Sequence, residues 1–377
     1  MKRFVVLGSI LACTAHAQQM PGAQAKLADA MLDGPPRPPM VDMKIDAAMR
    51  TQVIDGALAA LKKSYVSPDA ADKTEAQIRS HVKAGKYDNH AGAIAFANVL
   101  TADLQQASHD KHVRLFYSAE VLPDHTPDSD PTDEEKARMH ERAARFNADW
   151  LKVERLEGNV GYLRLDSFAS PSELGPRAAA AMTLLTHTDA LVVDLRYNHG
   201  GDSDGVIILM SYLYAAEDTV HIFDIYWRPS NLTRQYWNMP DVAGRRYPKK
   251  PVWVLTSSRT FSGAESFAYD LQAQKRVTVV GEVTGGGAHP GDMVKVAPHF
   301  GIGVPMGRSI NPVTKTDWEG TGVRPDVPTT AEKAFDTAYL AALRRQRARV
   351  DAKDAPRLSD EIDAALAKEK KALGLDR

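Results

Sequence analysis

Ser262 stands in "TFSGAESFAYDLQ", at the start of a helical pattern and just after the apolar run "VWVLT". A serine placed there can do two things. With Glu265 three residues later it has the spacing of a capping box, in which hydroxyl and carboxylate satisfy free backbone N–H groups. The same placement sets the hydroxyl beside unpaired amides and the positive end of a helix dipole, where the oxyanion of acyl transfer is stabilised. Both readings stay open on this stretch alone. Two further loops follow apolar runs: "RYNHGGD" after "ALVVDL", and "VTGGGAHPG" after "VTVVGE". Paired glycines let backbone approach a ligand and present N–H groups as an anion-binding nest. Each loop taken singly is also the composition of a tight turn. Three of them at successive strand ends make a site.

A nucleophilic serine needs a base, and spacing does not choose one among twelve histidines. "SHDKHVRL" holds His109 and His112 where a helical segment becomes a strand. Either could be a base, and histidines three apart could bind a metal or serve structure only. No HExxH and no cysteine pair accompanies them, so no metal and no cofactor is expected.

The elements that must position these groups can be read from the apolar pattern. Met49, Val53, Ala57 and Leu61 recur at helical spacing, with further helical patterns over about 72–83 and 91–106. "HVRLFYS" (112–118) reads as a short strand. A proline- and acid-rich stretch with a polar helix follows as a connector. From Val160, apolar strands alternate with helices, which argues a largely parallel sheet covered on both faces. "TVHIFDIYWRPSNLTRQYWNMP" carries the alternation of an added hairpin, and a charged helical tail starts at Ala331. The expected organisation is therefore 1–17 signal peptide, 18–40 proline-rich linker, 41–118 mostly helical N-terminal domain, 119–155 connector, 156–330 catalytic core and 331–377 helical tail.

Composition limits the partners. In 377 residues with a formal net charge of −1, charges are interspersed, so neither nucleic acid nor an anionic membrane is favoured. Lys2 and Arg3, the apolar run Phe4 to Ala12, and Ala15-His16-Ala17 form a secretory leader cut after Ala17, too short to remain inserted in a bilayer. Export to a periplasm or medium is expected. "SILAC" allows lipid anchoring at Cys13 as a lesser alternative, although Leu11 suits that box poorly. Cys13 is the only cysteine, so the exported chain would have neither disulfide nor thiol nucleophile.

"DLRYNHGG", "TSSRTFSGAE", "GEVTGGGAHPG" and "DWEGTGVRPD" occur here in the order found in the tail-specific, C-terminal-processing serine proteases. The chain resembles that family over roughly 160–327, closest to the branch of the interphotoreceptor retinoid-binding protein repeats and the tricorn protease core. The resemblance implies an α/β, crotonase-like spiral of ββα units beside the small helical domain. It makes Ser262 the nucleophile, Gly263 one oxyanion donor, and Gly200 or Gly201 the other. His112 resembles the histidine of the Asp-x-His motif and Glu319 the glutamate that completes the charge relay, with His109 as the alternative base. Gly287 falls where the lysine-using members carry their base, so a Ser–His arrangement is expected. The spacing leaves no room for a tethering PDZ domain.

These readings converge on an exported serine hydrolase cutting peptides or unfolded protein segments, of undetermined oligomeric state. Two rivals share the scaffold. One is a non-catalytic module holding an apolar ligand against Phe223, Tyr226, Trp227, Tyr236 and Trp237. The other is an esterase or amidase of small or cell-wall substrates.

Overall fold

Asp46 opens the first helix, α1 (Ala47–Ser64), by accepting the Met49 N–H at 2.8 Å. Its stripe Val53, Ile54, Ala57, Leu58 and Leu61 is buried, as the spacing predicts. The second helix, α2 (Pro68–Lys83), begins four residues before the apolar pattern suggests. Ser67 caps it and Pro68 occupies the first turn, where a missing N–H costs nothing. Helix α3 (Ala93–Ser108) ends at His109 in the left-handed conformation. The computed structural model describes residues 41–123 and 132–375. The expected leader, Cys13 and the proline-rich linker lie outside them.

A short strand, β1 (Leu115–Tyr117), pairs antiparallel with β10 (Phe300–Pro305), which in turn pairs with β9 (Gly291–Ala297). The three helices cover this sheet. Phe96, Leu100 and Leu104 bury against Leu115, Phe300 and Ile302. The pairing joins the N-terminal helical region to a segment 185 residues downstream through the register Tyr117↔Phe300, Phe116↔Gly301 and Leu115↔Ile302.

A polar helix, α4 (Asp133–Arg145), leads to a second sheet. Its order is β12 (Val327–Pro328), β8 (Thr278–Gly281), β7 (Val252–Thr256), β4 (Ala190–Asp194), β3 (Val160–Leu165) and β2 (Trp150–Leu156). All neighbours run parallel except β2, an antiparallel edge strand. The end of the expected connector is therefore part of the sheet. Alternation along the strands divides the side chains between two cores. Leu163, Leu165, Leu191, Val193, Val252 and Val254 face helices α5 (Pro171–Leu185), α6 (Ser203–Ser211) and α7 (Gly263–Ala273). Val160, Tyr162, Ala190, Val192, Trp253 and Leu255 face α8 (Ala331–Arg347). Burial on both faces explains why "ALVVD" and "VWVLT" are continuously apolar.

The charged C-terminal tail consists of α8 and α9 (Pro356–Ala372), and it is not simply solvated. Ala334, Ala338, Ala342 and Leu343 seal the second face of the sheet, with Ala365 of α9 in the same cluster. The aromatic-rich insertion forms an antiparallel hairpin of β5 (His221–Trp227) and β6 (Leu232–Trp237), extended by β11 (Gly307–Ile310). Among the described residues, no helix is long and apolar enough to cross a membrane.

Candidate active site

Strands β4, β7 and β8 are adjacent and parallel, so the three glycine-bearing loops leave the sheet side by side at its carboxyl edge. Backbone bonds tie them together: Phe261 N–H donates to the Asn198 carbonyl at 3.0 Å, and Gly285 N–H to the Thr260 carbonyl at 2.9 Å. Thr260 Oγ1 donates to the Leu195 carbonyl at 2.8 Å, locking the second loop onto the first.

Ser262 lies where this assembly turns sharply into α7. Its backbone adopts φ 55° and ψ −123°, a region that non-glycine residues avoid. Ser262 and Glu265 form one half of a capping box: the Ser262 N–H donates to Glu265 Oε2 at 2.8 Å, while the Glu265 N–H goes to the Ser262 backbone carbonyl at 2.8 Å. The hydroxyl itself makes no capping hydrogen bond. Glu265 does more than close a helix end. Fully buried, it also accepts from Gly286 N–H at 2.7 Å, from Gly287 N–H at 2.8 Å and from the Thr284 hydroxyl. Burial pushes its carboxyl up, against those four donors. One carboxylate thus fixes both the serine turn and the third loop.

The two candidate oxyanion glycines differ. Gly200 N–H donates to Asn198 Oδ1 at 2.8 Å and is already occupied. Gly201 N–H and Gly263 N–H find no acceptor among the described residues. They are close: a Cβ built on Gly263 would lie 3.4 Å from the Gly201 nitrogen. Gly200 has φ +93°, and a Cβ there would sit 2.7 Å from both Gly263 N and Ser262 Cβ, so only glycine fits beside the serine.

The β1–β10 pairing carries His112, three residues before β1 begins, to the cleft that Ser262 lines. Its ring lies 4.5 Å from that of Phe261, the residue preceding Ser262, and both His112 and Ser262 line one cleft. Neither ring nitrogen has a hydrogen-bond partner, although both are buried. A Cβ at Gly287 would approach His112 Cε1 to 2.6 Å. The Phe261 ring, closer still, and the imidazole together fill space that a side chain at position 287 would need. His109 stays exposed at the end of α3 and does not line the cleft.

Two residues absent from the sequence reading join this group. Asp110, buried, accepts His112 N–H at 2.9 Å through Oδ1, the same oxygen lying 3.6 Å from His112 Nδ1. Its Oδ2 accepts the Tyr65 hydroxyl at 3.1 Å and faces His289 Nδ1 at 2.8 Å. Glu319 Oε2 accepts Ala288 N–H at 2.5 Å and lies 3.6 Å from His289 Nδ1, while its buried Oε1 has no partner. One ligand atom each of Asp110, His112 and Glu319 falls within 4.8 Å of the others. Burial works to raise Asp110, but hydrogen bonds from His112 and His289 hold its carboxyl far below the usual carboxylate range. Burial and the Asp110 charge push Glu319 up to about 7. His289 is raised despite burial, by Asp110 and then Glu319. The "DKH" and "AHPG" motifs contained both missed residues, but nothing local to either shows that they meet.

The cleft of about 640 Å³ carries Lys111, Arg114 and Arg259 against Asp292. Behind Ser262 lies a cavity of about 40 Å³, lined among others by Val206, Phe223, Ile225, Ala288 and Trp318. The aromatic stripe of the hairpin is divided: Tyr226 and Trp227 are half-buried and Trp237 is exposed. Phe223 and Tyr236 are buried and stack at 4.5 Å, and Trp237 stacks on His221.

Residues 159–329 match the profile of peptidase family S41, and residues 44–148 match the N-terminal domain of peptidase S41 in eukaryotic IRBP. Carboxyl-terminal-processing peptidase 2, chloroplastic, of Arabidopsis thaliana is 28% identical over 169 residues, 45% of this chain and 32% of that protein. The chain thus spans about a third of that curated relative's length. A lipoprotein from Streptococcus agalactiae shares the fold at TM-score 0.50 and 12% identity, over 78% of this chain and 96% of that one. A structure described as a peptidase from Parabacteroides merdae does so at TM-score 0.50 and 16% identity, over 74% and 90%.

Proposed function

Because the chain belongs to peptidase family S41 through residues 44–148 and 159–329, we propose that it is a serine peptidase with Ser262 as nucleophile and His112 as general base. The observation that carries this reading is the strained, uncapped Ser262 sharing a cleft with a histidine whose ring nitrogens are unpartnered. His112 takes the Ser262 proton as Oγ attacks the substrate carbonyl carbon. The amides of Gly263 and Gly201 receive the developing oxyanion. His112 then protonates the leaving amine, and a water activated by the same imidazole releases the acyl group.

The open, cationic cleft suits an extended peptide. The cavity behind Ser262 has room for a few waters or one small side chain, so a small residue before the scissile bond is favoured. We further read the parallel sheet and its helices as the crotonase-like ββα spiral, with 41–118 as the helical N-terminal domain and 156–330 as the catalytic core. Export, with the leader removed after Ala17, is part of the same proposal. The fluorophosphonate test is direct. The mature protein should gain one adduct, on Ser262, and Ser262→Ala should lose both labelling and peptide turnover. Turnover surviving in Ser262→Ala would end this reading.

A further inference from the structure

Basic residues scattered through the sequence meet at the amino edge of the parallel sheet, the edge opposite Ser262. Strands β7 and β8 begin there, at Val252 and Thr278, and helices α6, α7 and α8 bring their last turns to it. The five residues of β7 separate this edge from the serine loop by roughly 16 Å. Between these elements lies a pocket of about 410 Å³, the size of a small-molecule site. Lys249, Lys250, Lys275, Arg276 and Arg345 line it, with Asp218 as its single carboxylate. Among the described residues, none of the five cations forms an ion pair with a carboxylate.

Cations do belong beside the carboxyl ends of helices, and part of this cluster is explained that way. Arg276 donates to the carbonyls of Leu213 at 2.7 Å, Tyr247 at 2.8 Å and Lys250 at 2.9 Å. Lys250 Nζ donates to those of Thr186 at 2.7 Å and Thr188 at 2.8 Å. Each helix end supplies about half a negative charge, so three ends and Asp218 leave about two positive charges unbalanced. Burial opposes the charge of Arg164 and Arg196 as well, but Asp166 and Asp194 outweigh it there. Arg276 has no such carboxylate, and burial pulls its pKa down. Two of its five N–H donors and one of the three on Lys250 remain unspent. Helix α7 closes in a Schellman turn, with Arg276 N–H on the Leu271 carbonyl and Lys275 N–H on that of Gln272, both at 2.8 Å. The turn holds Lys275 at φ 57°, where glycine is usual, and Lys249 has φ 60°. Two lysines of the pocket thus stand where glycine would be easier.

We propose that this pocket binds a compact dianion, a phosphate group carried by a small molecule. The half-buried Arg276 and Lys250 form its base, and the exposed Lys249, Lys275 and Arg345 its rim. The unbalanced charge matches the roughly −1.5 to −2 of a phosphate monoester at neutral pH. A guanidinium presents its donors in a flat fork that suits phosphate oxygens. Nothing in this pocket depends on the serine chemistry.

The test titrates pyrophosphate into the whole protein by calorimetry at low salt. One-to-one uptake is expected, with a rise in Tm and an affinity that falls as salt is added. Acetate at matched ionic strength should give neither uptake nor a rise in Tm. Lys249→Gly and Lys275→Gly each remove a charge at a positive φ, where glycine is unstrained, so the fold is kept. Each should weaken binding about 2–5-fold and the two together about 4–25-fold, with fluorophosphonate labelling of Ser262 unchanged. Asp218→Asn, which removes the one carboxylate, should instead tighten binding about 2–5-fold. Vesicles of phosphatidic acid in phosphatidylcholine present the same group on a lipid. Pyrophosphate uptake with no vesicle binding assigns a soluble ligand, and vesicle binding that pyrophosphate displaces assigns a phosphorylated headgroup. Uptake of neither, vesicle binding that pyrophosphate does not displace, or pyrophosphate binding that the glycine pair leaves intact would each overturn the site.

Discussion

Replacing Ser262 by glycine should make the protein more stable while abolishing its chemistry. At φ 55° and ψ −123° a side-chain-bearing residue carries roughly 1–3 kcal/mol of backbone strain, which glycine does not. Against that relief stands the greater freedom glycine gives the unfolded chain, about 0.4–1 kcal/mol. The hydroxyl contributes no capping bond whose loss would have to be added. The balance is a gain of about 1–2 kcal/mol for Ser262→Gly. Ser262→Ala keeps both Cβ and strain, so it should fall within about 0.5 kcal/mol of wild type. Urea unfolding at pH 7, followed by tryptophan fluorescence, measures both; the m-values should match, so the midpoints report stability directly. An ordinary cap predicts a different pattern: alanine about 1 kcal/mol less stable than wild type and glycine a few tenths less. A Ser262→Gly protein less stable than wild type would refute the strain argument, and with it the claim that the turn is held open for chemistry.

Asp194→Asn should cost about 3–5 kcal/mol at pH 7, because it leaves the mostly buried Arg196 guanidinium without the carboxylate that takes two of its hydrogen bonds. Burial opposes ionisation of Asp194, but Arg196 and then Tyr162 hold its carboxyl low. Its stabilisation is therefore present above the unfolded value near 3.9 and lost as pH falls through the folded one, so the two proteins should converge in acid. Prolonged chelation should leave the hydrolytic rate unchanged, and a lost rate restored by zinc alone would show that Asp110, His112 and Glu319 hold a metal.

The local elements were legible because their causes are local. The 3.6-residue stripe of α1, the continuous apolar strands β4 and β7 and the alternating hairpin β5–β6 each record the faces they bury. Three glycine loops at strand ends, with Ser262 at the mouth of a helix, could be read for the same reason. What they could not reveal is strand order. Only the sequence β8-β7-β4 across the sheet makes those loops neighbours, and only the β1–β10 ladder brings His112 into one cleft with a serine 150 residues away. Asp110 meets His289 across 179 residues, and Glu265 proved to be an anchor of the third loop as well as a helix cap. That the Gly200 N–H is taken while the Gly201 N–H finds no acceptor among the described residues depends on where the Asn198 side chain points. Periodicity encodes which face of an element is buried. Which elements then meet is settled by packing between distant segments, and the charge states of the site follow from that meeting.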